Sequence, residues 1–399
     1  MPYRFSTQGW VLFVTEAETA KQVLSRPDKF PKGTISQGPL GCLLHRFVGG
    51  ENIVFSNGQT WRKHRRKSLP IELFGRLTSR LLLAMERSEN TVNVVSLFEA
   101  LGLDVLGNAG FGLDFMALVN KESKWVSIYN RIRHGLGNVW FYIIPYIDTK
   151  FVHWFSHRKA VHEDLTEFHN MLDQMIEDKR KKIAEKESFS DDGAETDLLT
   201  AMLESQMIEG GGLSNDNIKD IQERMRNEAI SILGDELAEV VPTIDQIKQM
   251  KYIDMVIKEA ARMHPPILNL PARIAREDCF IGGTFVPKDT HLTVDMRHVM
   301  RNPRVWKDPD VFDPERFASG GEAEQLGPYA YVPFGGGGRI CLGKKFSIAL
   351  QAMVLSMMLR KYTWHLPDDS VHKSGVQEHG VGFGMVTIHD LNIQFKKRY

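Results

Sequence analysis

Apolar residues recur at helical spacing over most of this chain, and only short stretches alternate as strands do. Leu77 to Leu118 carries the helical period. His157 to Lys186 reads as one long amphipathic helix with a charged outer face. Further helices are predicted from about Ile221 to Leu233, from about Met250 to Met263, and from about Lys344 to Lys361. Pro265 and Pro266 stop the second of these, because proline lacks an amide donor and restricts the residue before it. Trp10 to Val14 reads as a strand, short strand-like pieces follow from Ala272 to Val294, and Gly382 to Phe395 reads as strand and hairpin. The pattern therefore predicts a mainly α fold with small β-sheets. Pro27 to Gly58 is glycine-rich and loop-like, ending in an Asn57-Gly58 turn signal before a basic helix from about Trp61. Glu187 to Asp220 is polar and acidic, with linker-like stretches. One such break does not divide the chain, so residues 1–399 are expected to form a single domain.

Composition narrows the function classes. Fifty basic and fifty acidic residues cancel, which gives no reason to expect a nucleic-acid partner. Cys42, Cys279 and Cys341 are too few and too far apart for a disulfide framework, and no C-x-x-C pair offers a zinc or iron–sulfur site. No apolar run approaches the roughly 18 residues that a membrane-spanning helix requires. An N-terminal membrane helix is accordingly expected to be absent.

The segment from Phe334 to Gly343 carries the chemistry. Five glycines surround Cys341, and a helix begins just beyond it. Glycine lets a backbone adopt positive φ and approach a flat ligand closely. A helix N-terminus beside a sulfur presents amide donors and a positive dipole end, which favour thiolate. Arg339 adds a cation suited to a carboxylate. A phosphate-cradling loop is the rival reading, but it needs the lysine and hydroxyl of a P-loop and leaves the cysteine unexplained.

The spacing F-x-x-G-x-R-x-C-x-G, filled by Phe334, Gly337, Arg339, Cys341 and Gly343, resembles the haem loop of the cytochrome P-450 family. Glu259 and Arg262 form an E-x-x-R pair, and Asp313 to Phe317 resembles the family's P-E-R-F segment, both in the family's order. The resemblance implies an incomplete cytochrome P-450 fold with haem b, Cys341 being the axial ligand of the iron. It also implies that Phe334 packs on the haem and that Arg339 contacts a propionate. Trp61, Arg65 and Arg273 are further propionate holders, with Arg276 the less well-placed alternative to Arg273. Glu259, Arg262 and Arg316 would form a buried network supporting the cysteine loop. Ile267 to Leu270 and Val381 to Phe383 match segments that face substrate.

The implied reaction is monooxygenation of an apolar small molecule by O2, with electrons from an NADPH-dependent cytochrome P-450 reductase and cytochrome b5 as a second donor. The basic helix near Trp61 would be the docking face for the donor. The style of the sequence, notably from Gly50 to Trp61, resembles fungal microsomal members, and the family resemblance implies the endoplasmic reticulum membrane, with this chain peripheral or soluble. The aromatic stretch around Tyr142 to Phe155 would either rest on a membrane or pack inside.

One family feature is missing. An A-G-x-D/E-T-like motif on a central distal helix, which serves proton delivery, should lie near 220/221, where the flanking segments abut instead. No residue is assignable to that relay. The alternative reading is therefore a catalytically impaired haem-binding pseudoenzyme or a truncated gene product.

Overall fold

The computed structural model describes residues 3–6, 9–33, 40–49, 57, 71–88, 91–111, 114–120, 123–138, 140–144, 146–186, 215–236, 238–373, 375–382, 385–388 and 390–399. The N-terminal part holds β1 (Tyr3–Ser6), β2 (Gly9–Val14), α1 (Ala17–Leu24), α2 (Leu43–Val48) and α3 (Ile71–Glu86). Then come β3 (Thr91–Asn93), α4 (Val94–Leu106), α5 (Lys124–Leu136), α6 (Trp140–Ile143) and α7 (Ser156–Lys186). The C-terminal part continues with α8 (Asn215–Leu233), α9 (Ile244–Gln249), α10 (Lys251–Met263), β4 (Arg273–Ile274), β5 (Cys279–Ile281), β6 (Thr284–Val286) and β7 (His291–Val294). It ends with α11 (Met296–Met300), α12 (Glu322–Leu326), α13 (Lys344–Lys361), β8 (Tyr362–His365), β9 (Glu378–Gly382), β10 (Met385–Ile388) and β11 (Asn392–Lys397).

The mainly α fold with small sheets stands as the periodicity predicts. Three boundaries do not. The helical stretch from Leu77 to Leu118 is broken between α3 and α4 by β3, and α4 runs into a π-helical turn at Gly107–Phe111. The glycine-rich segment from Pro27 to Gly58 contains α2, capped by the Cys42 sulfur, which accepts from the His45 amide. The last residues of the acidic stretch, from Asn215 to Asp220, are the first turns of α8, so residues 220 and 221 are consecutive inside one continuous helix.

The largest core gathers α3, α4, α8, α10 and α13. α13 buries side chains all round, from Phe346 and Leu350 through Met353 to Met358, because helices and strands cover it on every side. α10 is amphipathic, burying Ile253, Val256, Ile257 and Met263. Its open N-terminus is met by Glu228 of α8, whose carboxylate accepts from the Tyr252 and Ile253 amides at 2.7 and 2.9 Å. A second core packs α1 under a four-stranded sheet of order β1-β2-β7-β4, in which β2 and β7 are parallel. β11 lies between β3 and β8, closing the C-terminus onto the helical core. No described helix is long and apolar enough to cross a membrane.

Candidate functional site

The loop before α13 is built by its glycines. Gly335 and Gly337 adopt φ of 72° and 64°, in the left-handed region that side chains rarely enter. A side-chain carbon on Gly337 would also collide with the carbonyl of Leu24 at the end of α1, so that helix seats directly on the loop. The Cys341 amide donates to the Phe334 carbonyl at 2.8 Å and pins the cysteine at the loop's end. Gly343 is buried and right-handed at the N-cap of α13, so it does not use positive φ.

Cys341 is half-buried and lines a cleft with Phe334 and Arg339. Ile267, Leu270 and Arg273 come from the segment after α10, and Lys32 from the loop after α1. No acidic side chain lines this cleft among the described residues. Arg273 is 3% exposed; its Nη1 donates to the Phe30 carbonyl at 2.9 Å, while its Nε meets no acceptor. Burial, and then the neighbouring Arg339 charge, pull its guanidinium down to about 10. Cations crowded in this way make a receptor for carboxylates.

Behind the loop lies a second charged group. Arg262 donates to both Glu259 oxygens at 2.7 and 2.9 Å, and neither side chain is exposed. The Asp313 amide donates to Glu259 at 2.9 Å, and Arg316 stands 3.5 Å from the same carboxylate. Arg316 also pairs with Glu322. Arg262 reaches the Met300 carbonyl at 2.9 Å and lies over the Trp306 ring. Burial pushes the Glu259 carboxyl upward against the opposing pull of Arg262. Phe317, next to Arg316, meets Tyr331 edge to face at 4.7 Å, three residues before Phe334. Ring contact thus connects this network to the cysteine loop.

The structure brings Cys341, Arg339, Phe334 and Arg273 to one cleft, and Glu259, Arg262 and Arg316 to one buried network. Arg276 is exposed and outside the cleft. Trp61, Arg65 and the basic helix around them lie outside the described residues, as does Phe383. Lys32 and Glu322 went unread in the sequence. Lys32 sits in a loop with no motif, and Glu322 is six residues from its partner Arg316, a spacing that no local rule singles out.

The cytochrome P450 family model matches residues 5–220 and 218–395. The chain is 23% identical to "Cytochrome P450 4d2" of Drosophila melanogaster over 410 residues, covering 88% of this chain and 80% of that one. It is 25% identical to human "Cytochrome P450 4F12", covering 87% and 75%, and 24% identical to "Protein LUTEIN DEFICIENT 5, chloroplastic" of Arabidopsis thaliana, covering 89% and 65%. These relatives are from an insect, a human and a plant, so they lend the fungal resemblance no support.

Proposed function

The chain belongs to the cytochrome P450 family and is a haem-thiolate monooxygenase in that general sense, and we propose that it acts on an apolar small molecule with Cys341 as the axial ligand of haem b. The cleft suits that group. Its cations line it with no acidic side chain among the described lining residues, and Arg273 keeps a buried, unsatisfied Nε, as a site for paired propionates would. The left-handed turns at Gly335 and Gly337 let the loop seat on α1 and Leu270 and end at the sulfur. The observation that carries the reading is a thiol and three cations lining one cleft, with no acidic side chain among the described lining residues.

Bound haem supplies the reductive activation of O2 and the insertion of one oxygen atom into a C–H bond. The chain's own residues do the rest. The Cys341 sulfur would hold the ligand position, its backbone fixed by the hydrogen bond that its amide donates to the Phe334 carbonyl. Arg273, Arg339 and Lys32 would hold the carboxylates of the haem, and we assign Trp61 and Arg65 the same role. Phe334, Ile267 and Leu270 give it apolar walls that exclude water. The network of Glu259, Arg262 and Arg316 fixes the segment leading into the loop. Electrons would come from an NADPH-dependent reductase, with cytochrome b5 as a second donor.

Membrane association is part of the proposal. Trp140, Ile144, Tyr146, Phe151, Trp154 and Phe155 are exposed within a single stretch that also holds Lys150. Aromatic and basic residues together suit a membrane–water interface, here that of the endoplasmic reticulum.

The test is spectroscopic. The purified protein, reduced and exposed to CO, is expected to show the red-shifted Soret band of a thiolate-ligated haem, and Cys341→Ala should abolish it. An unchanged band in that variant would sink the assignment. A second reading, a catalytically impaired haem protein, is favoured by one observation. The two family matches overlap at residues 218–220, within the continuous helix α8, and the sequence there carries no A-G-x-D/E-T-like relay motif. A good CO band without NADPH consumption beside a reductase would select that reading.

A further inference from the structure

A second and larger cavity, of about 710 Å³, lies between α4, α8, α10, α13 and the C-terminal strands. Its body is apolar, lined among others by Phe98, Met225, Val256, Leu355, Trp364 and Phe395. It borders the cysteine cleft at Ala260 and Gln351 but contains no residue of the haem loop. Its volume falls within the range of small-molecule sites.

One lining residue does not fit an apolar void. Arg226 is 8% exposed, and its guanidinium reaches only neutral acceptors: the Leu359 carbonyl at 3.0 Å, the Tyr362 carbonyl at 3.1 Å and the Gln222 side-chain oxygen at 2.8 Å. No carboxylate of the described residues forms an ion pair with it, and its Nη1 makes none of these bonds. Buried cations are normally paired, because the desolvation of an isolated charge costs several kcal/mol. The carbonyls ending α13 supply a partial negative charge but not a full counter-charge. Burial and then the charge of Arg398 pull this guanidinium below its ordinary value, against a weaker opposing pull from Glu223 and Asp235, neither of which forms an ion pair with it. The exposed lining adds Lys219, His365 and Lys373 against Glu223 and Asp368, the last already paired with Lys373 at 3.0 Å.

We propose that this cavity is a second binding site, taking an amphipathic organic anion whose apolar body fills the void and whose carboxylate pairs with Arg226. The apolar walls reward a hydrocarbon body, and the buried guanidinium rewards a carboxylate. A neutral analogue of equal length gains the first contribution and not the second. Occupancy does not depend on the haem assignment, because Arg226 and the apolar walls belong to the folded chain itself.

The probe is dansyl-undecanoate, titrated by fluorescence into the purified full chain. Saturable binding is expected, with dodecanoate displacing the probe and dodecanol doing so at least about ten-fold less well. Arg226→Gln, which keeps a donor but removes the charge, should weaken binding at least about ten-fold. Leu355→Trp, which fills the cavity, should remove it, and melting curves report whether each variant is folded. Ile267→Trp, in the cysteine cleft, should leave the isotherm unchanged. The proposal is overturned if no saturable binding occurs, or if dodecanol competes as well as dodecanoate. It is equally overturned if folded Arg226→Gln binds at full strength, or if Ile267→Trp and not Leu355→Trp abolishes binding.

Discussion

Glu259 binds Arg262 through two hydrogen bonds of 2.7 and 2.9 Å, and neither side chain has any exposure to solvent. On a helix surface an i,i+3 pair contributes a few tenths of a kcal/mol; here the surroundings change the arithmetic. Arg262→Ala leaves the carboxylate buried with Arg316 as its remaining cationic neighbour, at 3.5 Å. The stability to urea is expected to fall by about 3–5 kcal/mol. Arg262→Lys should recover only part of this, because a lysine cannot donate the paired bonds and still reach the Met300 carbonyl. A loss below about 1 kcal/mol in Arg262→Ala would place the pair among ordinary surface ion pairs.

Gly337 and Gly338 are neighbours with opposite demands. Gly337 has a φ of 64° and abuts the Leu24 carbonyl, whereas a side-chain carbon on Gly338 meets nothing within 4 Å. Gly337→Ala combines about 1–2 kcal/mol of left-handed strain with a backbone collision, so the loop must move off α1. Haem content per chain is expected to drop severalfold in Gly337→Ala and to stay at the parent value in Gly338→Ala. Equal haem content in the two variants would show that the contact with Leu24 does not shape the loop.

Much of this was legible in the sequence, and what was not has a physical reason. α13 matches its predicted span from Lys344 to Lys361, since a glycine precedes it and its apolar spacing is unbroken. α10 was legible because Pro265 and Pro266 end it. α2 was not, because six residues capped by a cysteine sulfur carry too little periodicity to stand out from a glycine-rich loop. The start of α8 is hidden for the opposite reason: Asn215 to Asp220 holds one apolar residue among polar ones and so resembles linker, although it is the first part of the helix. The loop around Cys341 could be read because its motif is local. Lys32 could not, because its place in the cleft depends on how the chain returns from α1.

Asp148 ties the start of α2 to α7. It accepts from the Leu43 amide at 2.7 Å, from Arg158 at 2.5 and 2.7 Å, and lies 3.0 Å from His162. Burial alone would raise its carboxyl, but the bonds from Arg158, His162 and Leu43 outweigh it and hold the group far below its ordinary value of 3.8. A depressed carboxylate contributes stability that is fully present above its unfolded value. That stability is lost as pH falls through 3.8 toward the folded value. Asp148→Asn is expected to destabilise the protein by about 3–5 kcal/mol at neutral pH, since Arg158 is left buried and unpaired. The parent should lose that advantage on acidification below 3.8, so the two melting temperatures converge. Parallel curves across the acid range would mean that another group controls the acid transition.

Trp140 and Trp154 are 66% and 71% exposed, which is unusual for the most costly side chain to leave in water. Phe151 lies against Trp154 at 4.9 Å between ring centres, and Lys150 lies over Tyr146, so rings and cations share one surface stretch. Were these rings simply unburied, replacing them with serine would raise solubility and change nothing else. If they rest in a lipid interface, the Trp140→Ser/Trp154→Ser pair removes apolar area that the membrane would cover. At roughly 25 cal/mol per Å², partitioning should fall by about ten-fold or more. Co-sedimentation with vesicles containing anionic lipid measures this directly, with haem content as a control for folding. Raising the salt concentration should weaken binding of the parent only in part, because screening affects Lys150 and not the rings. Undiminished vesicle binding by the folded double variant would place the membrane contact elsewhere on the chain.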